Sequence, residues 1–160
     1  MRLFIAVWPP PAAVEQLRAL PRPELPNVRW TRPDQWHATL RFLGRVKGEE
    51  RDRLDAIWGS TTLSAAPVAV MGPATSAFGG RVLHVPVAGL DELASVVTSA
   101  TDGVGQPPEP RAFLGHITLA RGSDLRSLTG APVRATWTVE EITLVASEAG
   151  RYEVLRRRPL

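Results

Sequence analysis

The sequence carries the same short pattern of chemically capable residues twice. A His-Ala-Thr-Leu tetrapeptide at positions 37–40 returns as His-Ile-Thr-Leu at 116–119, in a chain that has only three histidines. Histidine titrates close to neutral pH, so one imidazole can give a proton while a second one takes a proton. A threonine hydroxyl can donate a hydrogen bond to an oxygen on which negative charge develops. The pattern predicts acid–base catalysis, provided that the fold brings the two copies together.

Both copies have the composition of a β-strand with two different faces. Side chains alternate along a strand, so His37 shares a face with Thr39, and His116 shares a face with Thr118. The apolar residues between them then point to the opposite, buried face. An alternative interpretation is that these are two amphipathic strands whose exposed residues happen to be His and Thr. Because two of the three histidines occupy the same frame, we favour the catalytic interpretation.

Two arginines follow the motifs at different spacings. Arg41 is in phase with His37 and Thr39 in an ideal strand, so we expect it to face the same side and bind an anionic substrate. Arg121 follows His116 by five positions, which is out of phase. Either the strand ends or bulges before Arg121, or this side chain points elsewhere and supports the fold.

Two further residues near the motifs are candidates for substrate binding. Phe113 precedes the second motif and could stack on a nucleobase, although core packing is the commoner use of a phenylalanine beside a strand. His84 lies opposite the apolar residues of its own predicted strand at 82–87. It either lines the site and contacts substrate or is an ordinary half-exposed strand residue.

The flanks of the two motifs resemble those of a known superfamily. The first copy continues into Phe42-Leu43-Gly44 and the second into Arg121, as in the 2H phosphoesterases. The resemblance is greatest to the bacterial RNA 2′,3′-cyclic phosphodiesterases, long called 2′-5′ RNA ligases. It extends from an opening strand at 2–7 to a closing strand at 142–147.

This resemblance implies a fold, a reaction and roles for single residues. The implied fold is one domain over residues 1–160, with two pseudo-symmetric lobes, each an antiparallel sheet backed by helices, around a central groove. The implied reaction is hydrolysis of the 2′,3′-cyclic phosphate end of an RNA to a 2′-phosphate, without metal or cofactor, with 2′-5′ ligation as its reverse. By motif position His37 is the proton donor and His116 the acceptor, and Arg121 matches the family's arginine. The residue pattern itself reads the same with the two histidine roles exchanged.

Other partners remain compatible with the same motifs. The substrate could instead be a small cyclic nucleotide or ADP-ribose cyclic phosphate. A non-catalytic RNA-binding module is a further alternative, although binding alone does not need two facing histidines.

Composition narrows the class of protein further. A chain of 160 residues suits one domain or two small lobes that share a core. There is one lysine, so 18 of the 19 basic residues are arginines, whose planar donors match phosphate oxygens. The absence of cysteine excludes disulfides and thiolate metal sites, and no His-x-x-x-His pair supports zinc. The lack of cysteine also fits a reducing cytoplasm, and no apolar run is long enough to span a membrane, so we expect a cytoplasmic protein without a membrane partner. We also expect a monomer without a bound metal.

The order of predicted elements favours an α+β fold. Strands are predicted near 3–8, 28–30, 37–43, 67–71, 82–87, 116–121, 133–138, 142–147 and 152–155, with helices near 11–20, 49–58 and 90–100. Residues 72–80 are predicted as a loop, and the arginine run at 156–158 as a solvated tail that could contact RNA. Strands paired with helices and followed by strands in series are typical of α+β proteins and not of a doubly wound parallel sheet.

Overall fold

The computed structural model describes residues 1–60, 63 and 65–160 and contains ten strands and three helices within them. The strands are β1 (Arg2–Val7), β2 (Val28–Trp30), β3 (Ala38–Gly44), β4 (Val68–Met71), β5 (Ser76–Phe78), β6 (Val82–Ala88), β7 (His116–Gly122), β8 (Ala135–Thr138), β9 (Glu141–Glu148) and β10 (Arg151–Pro159). The helices are α1 (Pro11–Arg18), α2 (Gly48–Ser60) and α3 (Asp91–Ala100). The α+β class predicted from the sequence is confirmed.

All of these strands join one curled sheet whose pairings are antiparallel. The strand order is β10-β9-β1-β3-β7-β6-β4-β8, with β2 beside β7 and β5 beside β6. The path divides into two halves of four strands, one ending at β3 and the other beginning at β7. These two strands, described along their whole length, are joined by a single register pair, Ala38 opposite Ile117. The two motif strands are therefore neighbours at the middle of the sheet.

The helices cover the apolar face of this sheet. Their inward positions include Leu17 of α1, Leu54 of α2, and Leu93 and Val97 of α3, all nearly inaccessible to solvent. Each such side chain contributes roughly 1.5–3 kcal/mol through its burial. Because the helices occupy one face, the polar residues of the motif strands are left on the other.

Both motif strands contain a bulge at the same place. In β3, Ala6 pairs with Thr39 and Ile5 with Arg41, so Leu40 is an extra residue without a partner in β1. In β7, His84 pairs with Thr118 and Leu83 with Ala120, so Leu119 is the extra residue. An extra residue shifts the alternation of faces by one from that point on.

The bulges give the two motif strands the same register over the motif, from the histidine to the fifth residue after it. The matching pairs are His37 with His116, Thr39 with Thr118, Leu40 with Leu119, Arg41 with Ala120, and Phe42 with Arg121. The two copies in the sequence therefore correspond to two copies of one structural unit.

Two details of the predicted elements are wrong. The glycine-containing segment at 72–80 includes the short strand β5, which pairs with β6. The arginines at 156–158 lie within β10 and do not form a solvated tail. Arg156 forms an ion pair with Asp55 at 3.2 Å, and Arg157 one with Glu141 at 2.6 Å. A strand could be predicted at 152–155, but the charged residues beyond it hid its continuation along the edge of the sheet.

Candidate functional site

A groove of about 250 Å³ opens on the polar face of the sheet, where the two halves meet. Both motif histidines and both motif threonines line it. The lining given by the described residues is Arg2, Phe4, Thr31, Gln35, His37, Thr39, Phe42, His116, Thr118, Arg121, Ser147 and Tyr152. This set contains two arginines and no carboxylate, which favours an anionic ligand.

His37 is held by hydrogen bonds on both ring nitrogens. Nδ1 lies 2.7 Å from the carbonyl oxygen of Gln35, and Nε2 lies 3.0 Å from Oγ1 of Thr39. A carbonyl only accepts hydrogen bonds, so Nδ1 carries the proton and the neutral ring leaves Nε2 as its acceptor. The nitrogen that exchanges protons therefore points along the motif toward Thr39.

Aromatic rings enclose His37 on several sides. Phe4 stacks on it at 4.7 Å between ring centroids, Tyr152 meets it edge-on at 5.4 Å, and Trp8 lies 5.4 Å away. This burial lowers the pKa of His37, which the Gln35 carbonyl counteracts and the charges of His116 and Arg121 lower further. Burial thus favours the neutral form of His37 in the unliganded protein.

His116 is oriented in the same way but stands in more open surroundings. Its Nδ1 lies 2.7 Å from the carbonyl oxygen of Leu114, again two residues earlier in the chain. Nε2 is thus the nitrogen left for a ligand. The rings of Phe78 and His84 contact the His116 ring edge-on, at 4.9 and 5.3 Å between centroids.

The bulge in β7 explains the position of Arg121. The extra residue Leu119 returns Arg121 to the face of His116 and Thr118, and its exposed side chain lines the groove. Of the two alternatives that the spacing left open, the strand bulge is the one that the structure contains.

The bulge in β3 has the opposite consequence for Arg41, and the prediction that this residue faces the groove is wrong. Its side chain is 4% exposed and lies on the helix-covered face. Nη2 donates to the carbonyl oxygens of Gln106 at 3.0 Å and Val104 at 3.4 Å, and Nε donates to Oγ1 of Thr101 at 3.4 Å. Arg41 therefore anchors the turn after α3 to the strand that carries the first motif.

Phe42 takes the groove position that was predicted for Arg41. Its ring is 40% exposed and lines the groove at the place that matches Arg121 in the other half. Counting alternate residues from His37 did not predict that Phe42 faces the groove, because the bulge at Leu40 interrupts the alternation. The five-residue spacing shared by Phe42 and Arg121 was the signal that could have identified both.

The structure does not place Phe113 or His84 among the groove-lining residues. Phe113 is partly buried and packs against the hydrophobic core. His84 is 4% exposed, so the interpretation as a half-exposed residue is wrong. Its ring stacks on Phe78 at 3.8 Å and lies behind His116. Burial lowers the pKa of His84, the Val82 carbonyl opposes this effect, and the charge of His116 adds to it.

Several lining residues were not predicted at all. Arg2 and Phe4 lie on the groove face of β1, and Ser147 and Tyr152 are paired neighbours on β9 and β10. Their alternation was readable in the sequence, but which face meets the groove depends on strand pairing. Thr31 lines the floor, with its hydroxyl 2.9 Å from the carbonyl oxygens of both Thr118 and Leu119.

Neither a metal cluster nor a membrane-spanning helix is found in the described part of the chain. No group of three or more His, Cys, Asp or Glu residues there has the arrangement to hold a metal ion. None of the helices formed by these residues is long and apolar enough to cross a membrane.

The chain is similar to one protein-family model and to several proteins of known structure. A family model described as LigT-like phosphoesterase matches residues 7–82. The crystal structure of Escherichia coli LigT with 3′-AMP is 30% identical, with a TM-score of 0.79 over 99% of this chain and 97% of that one. The same protein with NADP⁺ gives 28% identity and a TM-score of 0.77 over 99% and 97%. A protein of Thermus thermophilus gives 26% identity and a TM-score of 0.74, over 100% and 98%. No curated protein matches the chain.

Proposed function

We propose that this chain, which belongs to the LigT-like phosphoesterases of the 2H phosphoesterase superfamily, hydrolyses the 2′,3′-cyclic phosphate ends of RNA to 2′-phosphates. One observation carries the proposal. The imidazoles of His37 and His116 line the same groove, and each is tethered through Nδ1 to the carbonyl two residues earlier. Each ring therefore keeps Nε2 for proton transfer to a group bound between them, which for His37 requires release of its hydrogen bond to Thr39.

The reaction needs one proton taken and one proton given. One histidine accepts a proton from water as the water oxygen attacks phosphorus, and the bond from phosphorus to the 3′ oxygen breaks. The other histidine donates a proton to that departing oxygen, which leaves a 2′-phosphate. Negative charge develops on the two non-bridging oxygens meanwhile. We expect the Thr118 hydroxyl and the Arg121 guanidinium to stabilise that charge, and the Thr39 hydroxyl to join them once substrate binding releases its hydrogen bond to Nε2 of His37.

The assignment of the two histidine roles depends on protonation. The family pattern makes His37 the donor and His116 the acceptor, and we propose these roles for the enzyme–substrate complex. The lowered pKa of His37 opposes this assignment in the unliganded protein, because a neutral ring cannot donate from Nε2. A bound phosphate diester brings negative charge beside His37 and raises its pKa again, since an opposite charge favours the protonated form.

A nucleotide ligand is supported by the relatives and by the groove. Escherichia coli LigT has been crystallised with 3′-AMP, NADP⁺ and ATP. The groove here is smaller than the roughly 300–1,000 Å³ that encloses a drug-sized ligand. It can hold a phosphate and its ribose, with the exposed ring of Phe42 beside them for a base. The same groove would accept a small cyclic nucleotide, which is the second candidate substrate.

The first experiment measures hydrolysis of an RNA oligonucleotide with a 2′,3′-cyclic phosphate end, in EDTA. We expect turnover by the wild type and a loss of about 100-fold or more for both His37→Ala and His116→Ala. The matched control is His84→Phe, which keeps a ring in the stack outside the groove. A wild type that binds the RNA without cleaving it would replace the proposal by the RNA-binding alternative, and cleavage of mononucleotides alone would favour the second candidate.

A second experiment separates donor from acceptor. An activated aryl phosphodiester has a leaving group that departs without a proton, so the acid becomes dispensable while the base does not. With this substrate we expect His116→Ala to remain severely impaired and His37→Ala to recover most of its deficit. The reverse pattern would exchange the two roles.

A further inference from the structure

We propose that Arg29, together with Arg121, forms a second phosphate-binding site beside the groove, which takes the phosphate of the nucleotide preceding the cyclic end. The inference rests on the proposed function and specifies its substrate as an oligonucleotide. Arg29 lies on β2, outside the groove lining, and the catalytic scheme above does not use it.

Strand register places Arg29 on the groove face. It pairs directly with Arg121 across β2 and β7, and directly opposed residues of antiparallel strands point to the same side with Cβ atoms about 5 Å apart. Arg121 and Thr31 line the groove, so Arg29, two residues before Thr31, continues the same surface along the edge of β7 that also pairs with β3. Its neighbours Val28 and Trp30 pack against the core, which leaves Arg29 exposed between them.

Arg29 and Arg121 place two like charges directly opposite each other on neighbouring strands. Like charges directly opposite on neighbouring strands destabilise a sheet. Within the described residues, neither Arg29 nor Arg121 has a carboxylate at ion-pair distance, whereas Arg32 pairs with Asp34 at 3.1 Å. A phosphate would relieve this repulsion, because guanidinium groups bind its oxygens through paired, charge-assisted hydrogen bonds.

The strand that carries Arg29 is fixed in place. At one end, Gly122 of β7 lies so close to the Asn27 carbonyl that an added Cβ would stand 2.0 Å from that oxygen. At the other end, the Thr31 amide donates to the Leu119 carbonyl at 2.9 Å, and the Trp30 indole donates to the Pro23 carbonyl at 2.9 Å. Arg29 thus projects from a rigid base, and a pre-positioned cation loses less entropy when it binds a ligand.

The position of this pair selects a class of substrate. A cyclic mononucleotide has one phosphate, which lies between the histidines and within reach of Arg121. A cyclic mononucleotide therefore has no second phosphate for Arg29 to bind. An RNA strand supplies a further phosphate one nucleotide away, and we propose that Arg29 binds it together with Arg121, beside the groove.

The test compares two substrates across matched variants. We would measure kcat/KM for a 2′,3′-cyclic mononucleotide and for a short RNA ending in the same nucleotide, at fixed salt. The quotient of the RNA value over the mononucleotide value is expected to fall about tenfold in Arg29→Ala and less in Arg29→Lys. Arg32→Ala, in the same segment, is expected to keep the wild-type quotient. An unchanged quotient in Arg29→Ala would overturn the site.

Two further measurements keep this inference separate from the proposed function. If the wild type cleaves neither substrate, binding of a 3′-phosphorylated oligonucleotide decides. Loss of one contact in Arg29→Ala should then reduce the slope of log K against log salt by about 0.7, and an unchanged slope would overturn the site. ADP-ribose cyclic phosphate also carries a second anionic group, its pyrophosphate, and is measured as a third substrate. If Arg29→Ala lowers kcat/KM for this substrate and not for RNA, the assignment to RNA is overturned.

Discussion

The two halves of the sheet have the same local structure around the motif histidine but present different side chains to the groove. Each has a histidine tethered through Nδ1, a threonine two residues later and a bulge one residue after that. At the fifth position after the histidine, the first half presents Phe42 to the groove and the second presents Arg121. The shared local structure thus brings the two imidazoles to one groove, while the differing position makes its two walls chemically unlike.

The surroundings of the two histidines differ in the same way. His37 is enclosed by Phe4, Trp8 and Tyr152, whereas His116 is contacted edge-on by Phe78 and His84. Acid–base catalysis needs one protonated and one neutral group at the same pH. The aromatic enclosure of His37 lowers its pKa, and the first half therefore holds the imidazole whose neutral form is favoured by burial.

Of the substitutions that test this comparison, we expect the largest loss of activity from replacing Arg121, the fifth residue after His116. Arg121→Ala removes a groove-lining cation that we propose stabilises the developing charge, so we expect kcat/KM for the cyclic-phosphate RNA to fall about 100-fold, mostly in kcat. Phe42→Ala removes a stacking surface, so we expect a loss of about tenfold, mostly in KM. Steady-state kinetics of both variants, with thermal unfolding as a control, measures this asymmetry. Equal losses would show that the two walls act alike.

The two halves also differ one residue before Phe42 and Arg121, where Arg41 in β3 corresponds to Ala120 in β7. Arg41→Ala removes hydrogen bonds from a charged donor and leaves the Val104 and Gln106 carbonyls without it. We expect the free energy of unfolding to fall by about 2 kcal/mol or more. Chemical denaturation measures this change, and the exposed Arg45→Ala serves as control. A variant as stable as wild type would contradict the anchoring role of Arg41.

The smallest expected effect is a shift in the titration of His37. Tyr152→Ala opens one side of the aromatic enclosure, so the lowered pKa of His37 should rise toward the ordinary value of about 6.5. Tyr152→Phe keeps the ring and should leave the pKa near that of wild type. NMR titration of the histidine side chains measures both variants, and equal pKa values in Tyr152→Ala and wild type would refute the role of burial.

The same lowered pKa has a consequence for stability. Between the folded pKa of His37 and the unfolded value of about 6.5, the unfolded chain binds more protons. Stability therefore falls as the pH drops through this window. Replacing His37 with phenylalanine should make the decrease shallower, as denaturant melts at several pH values would show.

Much of the site could be predicted because the motif itself is local. His37, Thr39, His116 and Thr118 share faces within two residues of each other, a distance over which alternation holds. Arg41 was misplaced because a bulge one residue earlier reverses the faces, and propensity does not reveal which leucine lacks a partner. The face on which a strand residue lies depends on how the strand pairs with its neighbours, and the sequence of the strand alone does not reveal that pairing.

The remaining differences have the same origin in long-range pairing. Tyr152 reaches the groove because β10 pairs with β9 at the edge of the sheet, far along the chain from His37. His84 is buried because β5 formed in a segment predicted as a loop and brought Phe78 over it. Neither contact could be predicted from composition or periodicity, since each depends on where distant segments meet.

The single register pair between β3 and β7 lies where the two halves of the sheet meet. Ala38 and Ile117 each follow a motif histidine by one residue, so the paired point between these two fully described strands lies beside both imidazoles. If one half of the sheet tilts against the other about this point, atoms move in proportion to their distance from it. The histidines would then keep their separation best, while Phe42, farther along β3, would be displaced more. Such a tilt would widen the groove beside Phe42 without separating its two proton-transfer groups.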